Sequence, residues 1–410
     1  MTTSTITIPA IPGDGIGAEI MTAARRVIDA AVTRSSRGEK HIIWKEFPAG
    51  KKGLEETGAA LPDETLQALK DFKICLKGPL TTPVGGGFRS LNVQLRQALD
   101  LYVCLRHARW FEGLPSPHRD PSGIDITIFR ENTEDIYTGI EYQAGSEENR
   151  HWMDAFKASH SQDFARLPHP EECGIGIKPV SRIGSQRLVR AAIQWSLANH
   201  KRRLTLAHKG NIMKYTEGAF RNWGYDLAES DFAGKAFTQR QVKSIQKDQG
   251  DEAAELYKKV AFEKGQLLVD DVIADVVFEQ LITRPQQFDV IATTNLNGDY
   301  LSDAAAALSG GVGISPGANI NFEAGIGVFE ANHGSADDIA GKNIANPSSL
   351  ILSGEMMLRY IGWGDEADLL RHAVEETIRS KRVTRDLAKQ VQNPQTLGTQ
   401  EFADAIISNL

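Results

Sequence analysis

The chain has 410 residues, 41% hydrophobic and 24% charged, which is enough for two or three domains with an extensive core. Its net charge of −7 argues against a surface that binds nucleic acid. Three cysteines without a paired spacing argue against a disulfide framework or a structural zinc site. No apolar run approaches the length of a membrane span and no signal-peptide pattern is visible, so we expect a cytoplasmic protein that binds no membrane.

The N-terminal pattern is a strand, a glycine-containing turn and a helix. Residues 5–11 predict the strand, P-G-D-G-I-G forms the turn, and helical apolar spacing follows. Because position 18 is Ala18, the glycines Gly13, Gly15 and Gly17 do not form the G-x-G-x-x-G fingerprint. The sequence therefore disfavours a Rossmann fold.

Strand-like and helix-like segments alternate along the rest of the chain, which indicates an α/β protein. The predicted strands are 72–78, 124–130, 203–210 and 288–295, and the predicted helices are 185–199 and 217–228. Two polar regions interrupt this order, at 142–172 and at 236–265. We expect the second, a highly charged insert, to be a solvent-exposed face.

A glycine-rich loop leads from Lys77 into a segment rich in polar ligand-binding groups. These groups, with one from the following strand, are Ser90, Asn92, Arg96, Arg106 and Arg130. Guanidinium groups bind carboxylates through two parallel donors, so the set suits a small ligand with several carboxylates. The alternative is that the arginines form ordinary surface salt bridges.

The segment N-L-N-G-D-Y-L-S-D places Asp299 and Asp303 four residues apart. On a helix both carboxylates would share one face and could hold Mg²⁺ or Mn²⁺. Asp275 could supply a third carboxylate. The alternative is charge on an exposed helix surface.

Lys209 and Tyr137 are candidates for proton transfer. Lys209 follows a predicted strand in A-H-K-G-N-I-M-K, and Tyr137 lies in E-D-I-Y-T-G. Such a pair can carry protons where burial or nearby charge adjusts the pKa values. Taken singly, a surface lysine and a packed tyrosine are the better interpretations of these two residues.

The segment from Phe329 to Pro347 contains small residues that would allow a ligand to approach the backbone. Within it, Asp338 next to Ile339 could accept hydrogen bonds from both ribose hydroxyls of an adenosine and would repel a 2′-phosphate. The alternative is an ordinary turn at the start of a helix.

Taken together, these motifs resemble the isocitrate dehydrogenases of the β-decarboxylating (isocitrate/isopropylmalate) dehydrogenase family, in particular the bacterial homodimeric type. The resemblance spans nearly the whole chain and thins at 236–265. It rests on four motifs in order: G-P-L-T-T-P-V-G-G-G-F-R-S-L-N, F-R-E-N-T-E-D-I-Y-T-G-I-E, H-K-G-N-I-M-K and N-L-N-G-D-Y-L-S-D.

The resemblance implies an isopropylmalate dehydrogenase-like α/β/α fold with a mixed sheet, not a Rossmann fold. It implies a large domain from residues 1–101 and 310–410, and a small domain from 102–309. A dimer-forming clasp would lie at about 135–181. The expected assembly is a homodimer with shared active sites.

The resemblance also assigns roles to individual residues. Isocitrate would be bound by Thr82, Ser90, Asn92, Arg96, Arg106 and Arg130. The metal, Mg²⁺ or Mn²⁺, would be held by Asp299 and Asp303 with Asp275 of the partner subunit. Lys209, also from the partner, would accept the C2 hydroxyl proton, and Tyr137 would protonate the enol. The cofactor would contact Asn211, His333, Gly334, Ser335, Ala336, Asp338, Ile339 and Asn346.

In the cofactor segment the sequence departs from the NADP-dependent members, which present Lys-Tyr where this chain has Asp338-Ile339. Arg385 and Lys389 replace the Tyr and Arg of those enzymes, and these two cations could still attract a phosphate. Because a carboxylate beside a 2′-phosphate is unfavourable, we expect NAD.

The alternatives are NADP as cofactor, homoisocitrate as substrate, or a non-catalytic regulatory subunit. The last would be expected to lack the metal aspartates, the lysine or the tyrosine, all of which are present. We also hypothesise that phosphorylation of Ser90 would place negative charge against the substrate carboxylate and block binding. Normal affinity of Ser90→Asp for isocitrate would exclude that hypothesis.

Overall fold

The computed structural model describes residues 4–81 and 90–410. Strands in this part are β1 (Ser4–Ile11), β2 (Lys40–Glu46), β3 (Ile74–Lys77), β4 (Val103–Arg109), β5 (Asp125–Glu131), β6 (Glu141–Tyr142), β7 (Ile175–Gly176), β8 (Arg203–His208), β9 (Ala236–Thr238), β10 (Leu267–Ile273), β11 (Val290–Thr293), β12 (Pro316–Asn321), β13 (Ile326–Ala331), β14 (Arg382–Thr384) and β15 (Gln395–Leu397).

The α-helices in the same part are α1 (Gly17–Ser35), α2 (Lys51–Thr57), α3 (Asp63–Phe72), α4 (Leu91–Ala98), α5 (Glu147–Ser159), α6 (Ser161–Phe164), α7 (Arg182–Ala198), α8 (Glu217–Asp231), α9 (Gln239–Gln249), α10 (Asp251–Glu263), α11 (Ala274–Thr283), α12 (Asn295–Leu308), α13 (Ser348–Tyr360), α14 (Gly364–Arg379), α15 (Arg385–Ala388) and α16 (Thr399–Ser408).

Eleven strands form one sheet in the order β2-β1-β3-β13-β12-β4-β5-β11-β8-β10-β9. Strand β12 is antiparallel to both of its neighbours, and β4 is antiparallel to β5. The other neighbouring strands are parallel, and the central ones are apolar and buried because helices cover both faces. This mixed sheet confirms the predicted α/β fold class and the rejection of a Rossmann fold.

The turn between β1 and α1 contacts the loop that follows β13 and holds it in place. Gly15 has φ +57°, and a Cβ atom there would lie 2.1 Å from the carbonyl oxygen of Ser335. The same carbonyl accepts a hydrogen bond from the Ile16 amide at 2.9 Å. Only glycine combines that backbone conformation with so close an approach, so this turn positions the loop containing several predicted cofactor residues.

The charged insert at 236–265 is more ordered than its composition suggested. It contributes β9 to the edge of the sheet and then the helices α9 and α10. Phe237, Val242, Ala254 and Ala261 form a small buried core of their own. The predicted exposed face is therefore only the outer side of a packed unit.

The predicted clasp region contains the antiparallel pair β6–β7, which forms a separate two-stranded sheet. The division into 1–101, 102–309 and 310–410, and the role of the clasp, stay predictions. Across the residues described, none of the helices is both long and apolar enough to pass through a bilayer.

Candidate active site

One face of the central sheet carries charged side chains on otherwise apolar strands. Lys77 of β3 lies opposite Glu330 of β13, and Cys104 of β4 lies opposite Arg130 of β5. Directly opposed residues project to the same face, and Arg106 joins that face two positions beyond Cys104. The register of the sheet thus gathers residues from distant parts of the sequence.

Glu330 is a buried carboxylate at the centre of this face. Lys77 Nζ lies 2.6 Å from its Oε2, Arg96 Nη2 lies 3.2 Å from its Oε1, and Asn319 Nδ2 donates to Oε1 at 2.6 Å. Burial alone would raise the pKa of Glu330, but the charges of Lys77, Arg96 and Arg106 outweigh it and hold the pKa far below its usual range. The site therefore includes a fixed negative charge.

Sequence reasoning missed Glu330 and gave Lys77 no role. The available signal was a single charged residue in each of two buried apolar runs, I-C-L-K and I-G-V-F-E-A. A buried charge is expensive unless it is paired, so each should have suggested a partner of opposite sign.

The predicted substrate-binding residues gather around the same face. Three of them surround Cys104, and we call these the arginine cluster: Arg96, Arg106 and Arg130. The Nε atom of Arg96 is buried and has no hydrogen-bond partner among the described residues. Arg106 donates from Nε to Cys104 Sγ at 3.0 Å, and its two terminal nitrogens donate to no described residue. Neither the Nε of Arg96 nor the terminal nitrogens of Arg106 are therefore committed to a described residue.

Helix α4 brings two more predicted residues to this position. Ser90 is the residue before the helix and is half-buried, and Asn92 Oδ1 accepts a hydrogen bond from Lys77 Nζ at 3.1 Å. Thr82 lies outside the described residues.

A second network joins Arg130 to a predicted catalytic residue and a predicted metal ligand. Arg130 forms an ion pair through Nη1 with Asp299 and donates from Nε to Asn295 at 2.9 Å. Tyr137 donates its hydroxyl to the other oxygen of Asp299 at 2.7 Å. Burial and the hydrogen bond to Asp299 raise the pKa of Tyr137 to about 12, so the phenol stays protonated at neutral pH.

Asp299 and Asp303 both lie on α12, one turn apart, so the helix on which a shared face depended is present. Burial, followed by the charge of Asp299, raises the pKa of Asp303. Two carboxylates on one face of a helix match the hard-oxygen donor set of Mg²⁺ or Mn²⁺, so these residues fit a divalent cation.

Lys209 and Asp275 form a separate pair. Lys209 follows β8, Asp275 is in the first turn of α11 after β10, and their Nζ and Oδ1 atoms are 2.5 Å apart. In the residues the structure describes, no group of three or more metal-binding side chains occurs, so Asp275 does not join Asp299 and Asp303 within one chain. The resemblance assigns both Lys209 and Asp275 to the partner's site, and one chain does not test that assignment.

The predicted cofactor residues mostly follow β13. Ser335 accepts a hydrogen bond from the Thr81 hydroxyl at 2.8 Å, and Ala336 has φ +42°. Burial lowers the pKa of His333, whose Nε2 has no partner. The other ring nitrogen, Nδ1, lies 3.0 Å from the carbonyl oxygen of Gly334.

The remaining cofactor residues differ in exposure. Asp338 is exposed and in no ion pair with a described residue, and Ile339 is half-buried. Asn346 is buried, and its side-chain amide nitrogen donates a hydrogen bond to Asp386 Oδ2 at 2.9 Å. That nitrogen is therefore already hydrogen-bonded within the protein. Asn211 is exposed in the turn after Lys209.

A cavity of about 390 Å³ opens on the other face of the same strands. Its lining includes Leu105, His107 and Arg109, which alternate with Cys104 and Arg106 along β4. Its cations are largely paired with Asp125 and other carboxylates. It contains none of the predicted site residues.

Comparison with known proteins gives a consistent result. Residues 7–406 match the family model described as isocitrate/isopropylmalate dehydrogenase. A protein of Staphylococcus epidermidis named isocitrate dehydrogenase [NADP] is 52% identical over 98% of this chain and 95% of its own length. A Pseudomonas aeruginosa protein of the same name is 47% identical over 98% and 93%. These names specify NADP and do not support the expectation of NAD.

Solved structures agree with this result. The isocitrate dehydrogenase from Methylococcus capsulatus has a TM-score of 0.75 and 38% identity, over 98% of this chain and 99% of the other. The TT0538 protein from Thermus thermophilus also has a TM-score of 0.75, with 32% identity over 98% of this chain and 68% of the other. The chain belongs to the isocitrate/isopropylmalate dehydrogenase family.

Proposed function

We propose that this protein catalyses the oxidative decarboxylation of isocitrate to 2-oxoglutarate and carbon dioxide, with NAD as the oxidant. The observation that carries the proposal is the network in which Arg130 and Tyr137 both bind Asp299, beside the arginine cluster. Family membership and relatives named isocitrate dehydrogenase support the same reaction.

The charge of the site suits a substrate with three carboxylates. In the arginine cluster, the Nε of Arg96 and the terminal nitrogens of Arg106 have no hydrogen-bond partner among the described residues. Ser90 and Asn92 at the start of α4 would bind the γ-carboxylate that isopropylmalate lacks. This favours isocitrate within the family.

The side chains have separate parts in the reaction. Asp299 and Asp303 would hold the divalent cation, which when bound would supply positive charge that stabilises the developing negative charge of the substrate. Lys209 of the partner would accept the C2 hydroxyl proton as hydride passes to NAD. Tyr137 would then return a proton to the enol after carbon dioxide leaves, because its raised pKa keeps it protonated.

Substrate choice is tested by comparing kcat/KM for isocitrate and isopropylmalate with NAD and Mg²⁺. We expect isocitrate to be preferred by at least roughly 100-fold, and Asn92→Ala to reduce that preference by about tenfold or more. A control is Gln97→Ala, an exposed position on the same helix. Faster turnover of isopropylmalate would overturn the proposed substrate, and activity only with homoisocitrate would replace it.

The NAD proposal depends on Asp338. Its carboxylate is exposed and unpaired with any described cation, so it is free to accept hydrogen bonds from both ribose hydroxyls and to repel a 2′-phosphate. The observation favouring NADP is the pair of exposed cations Arg385 and Lys389, together with the names of the relatives.

The cofactor is tested by initial rates with NAD and NADP at saturating isocitrate and Mg²⁺. We expect NAD to be preferred by at least roughly tenfold, and Asp338→Lys to abolish or reverse that preference. The adjacent Asp337 is the matched control: it is also exposed but pairs with Lys51 at 3.2 Å, so Asp337→Lys should leave the preference unchanged. A wild-type preference for NADP would show that Arg385 and Lys389 dominate.

A further inference from the structure

Cys104 is buried at the centre of the arginine cluster, although no part of the proposed chemistry uses a thiol. It has no exposed surface, and it lies on the same face of the sheet as Arg106 and Arg130. Its Sγ atom accepts the hydrogen bond from Arg106 Nε at 3.0 Å. Burial by itself raises the pKa of this thiol, but the charges of Arg106, Arg96 and Arg130 outweigh burial and lower it.

The contact determines which edge of Arg106 remains free. A guanidinium group has one edge that includes Nε and another formed by its two terminal nitrogens. Nε is hydrogen-bonded to sulfur, and the terminal nitrogens have no partner among the described residues. The edge formed by the terminal nitrogens can therefore bind a carboxylate through two parallel donors. The sulfur therefore sets the orientation of the group before a ligand arrives.

We propose that Cys104 is a positioning residue for isocitrate, acting by fixing the guanidinium of Arg106. The proposal rests on the proposed function, since it assumes that Arg106 binds the substrate. The sulfur touches no substrate in this account. The hydrogen bond to sulfur restricts the Arg106 side chain before the ligand arrives. Less side-chain conformational entropy is therefore lost when isocitrate binds.

The chain offers a matched control in Cys75. Cys75 is also fully buried in the same sheet, but the described hydrogen-bond partners of its Sγ are backbone groups of Leu76, at 3.5 Å, and of Ile11, not an arginine. Burial raises the pKa of this thiol to about 12, which is opposite in direction to the change at Cys104. A substitution at Cys75 thus reports the effect of altering a buried sulfur without altering an arginine.

The test uses full-length Cys104→Val, Cys104→Ser and Cys75→Val. Valine fills the volume without accepting a hydrogen bond, whereas serine retains an acceptor. We expect Cys104→Val to raise KM and the calorimetric Kd for isocitrate by roughly tenfold, with kcat and the KM for NAD within about twofold. Cys104→Ser should recover most of the affinity, and Cys75→Val should leave it unchanged.

A double-mutant cycle separates positioning from packing. If Cys104 acts through Arg106, Cys104→Val should have no further effect on isocitrate affinity in an Arg106→Ala background. Additive losses, equal losses in the Val and Ser variants, or an unchanged Kd in Cys104→Val would each overturn the proposal. Wild-type protein that neither binds nor oxidises isocitrate would instead overturn the proposed function.

Discussion

At the scale of single residues, the site is organised by buried charge. Glu330 is almost fully buried and is stable there because Lys77, Arg96 and Asn319 all contact its oxygens. Removing a partner from such a group would leave an uncompensated buried charge, which is strongly unfavourable. The carboxylate and its partners therefore hold one another in place before any ligand binds.

Tyr137→Phe should lower kcat for isocitrate by roughly 100-fold or more, with KM nearly unchanged, because the phenol would act only in proton transfer. Tyr360→Phe is the control, since Tyr360 is half-buried beside the cavity on the other face of the sheet. Steady-state kinetics check both variants. A kcat for Tyr137→Phe close to wild type would exclude Tyr137 as the proton donor.

At the scale of elements, the packing of α12 against β5 fixes the position of Arg130. A Cβ atom at Gly298 would lie 2.6 Å from the Cβ of Arg130 and 2.5 Å from its Cγ. Helix propensity alone favours alanine over glycine in α12 by about 1 kcal/mol. The close approach of the two elements outweighs that preference.

Gly298→Ala should therefore destabilise the protein by about 1–3 kcal/mol and raise the KM for isocitrate, because Arg130 must move. The control is Gly364→Ala, in the first turn of α14, where a Cβ atom would meet nothing within 4 Å. This variant should be neither less stable than wild type nor changed in its KM for isocitrate. Urea unfolding and steady-state kinetics check both. A more stable Gly298→Ala variant with normal KM would contradict this account of the α12–β5 contact.

Asp271 links β10 to β8 and α8. Its carboxylate lies 3.0 Å from His208 Nε2 and accepts a hydrogen bond from the hydroxyl of Tyr225. Burial alone would raise the pKa of Asp271, but these hydrogen bonds lower it to about 2 from an ordinary 3.8. A lowered folded-state pKa contributes stability that is present above about pH 4 and is lost as the pH falls through about 2.

Asp271→Asn should therefore lower the free energy of unfolding at pH 7 by roughly 1–2 kcal/mol, after allowance for partial solvent screening. The difference in the free energy of unfolding between Asp271→Asn and wild type should decrease as the pH falls from about 4 to about 2. Urea titrations across that range measure it. Asp404→Asn, at an exposed pair with Arg26, should change stability little at any pH. An equal difference at all pH values would contradict the role given to ionised Asp271.

The sequence predicted local features of these elements well. The spacing of Asp299 and Asp303 predicts a shared face if their segment is a helix, and they lie on α12; the predicted helix 217–228 corresponds to α8. That Lys77 and Glu330 each need a partner could be inferred, but that they are each other's partner could not, because this depends on the register of β3 with β13, some 250 residues later. The helices of the 236–265 insert were missed because their few buried residues lie within a largely charged run.

At the scale of the whole molecule, the proposed chemistry is divided between two groups of residues. Tyr137, Asp299 and Asp303 form one group, and Lys209 and Asp275 form the other. If two chains share their sites, each site would combine the first group of one chain with the second group of its partner. The homodimer and its shared sites stay predictions.

Complementation tests that arrangement. Tyr137→Phe and Lys209→Met should each be nearly inactive alone. Co-expressed, they should recover about a quarter of wild-type activity, because half of the dimers are mixed and each mixed dimer has one intact site. Purified mixed dimers and their kcat measure this. No recovery in mixed dimers would show that both residues act within one chain.

The most direct test of the proposed reaction is the stoichiometry of its products. Purified protein would be given isocitrate, Mg²⁺ and NAD, with carbon dioxide and reduced cofactor measured together and a parallel reaction containing EDTA. We expect equal amounts of the two products and loss of both when the cation is chelated. Reduced cofactor without carbon dioxide, or no turnover of isocitrate with either NAD or NADP, would contradict it.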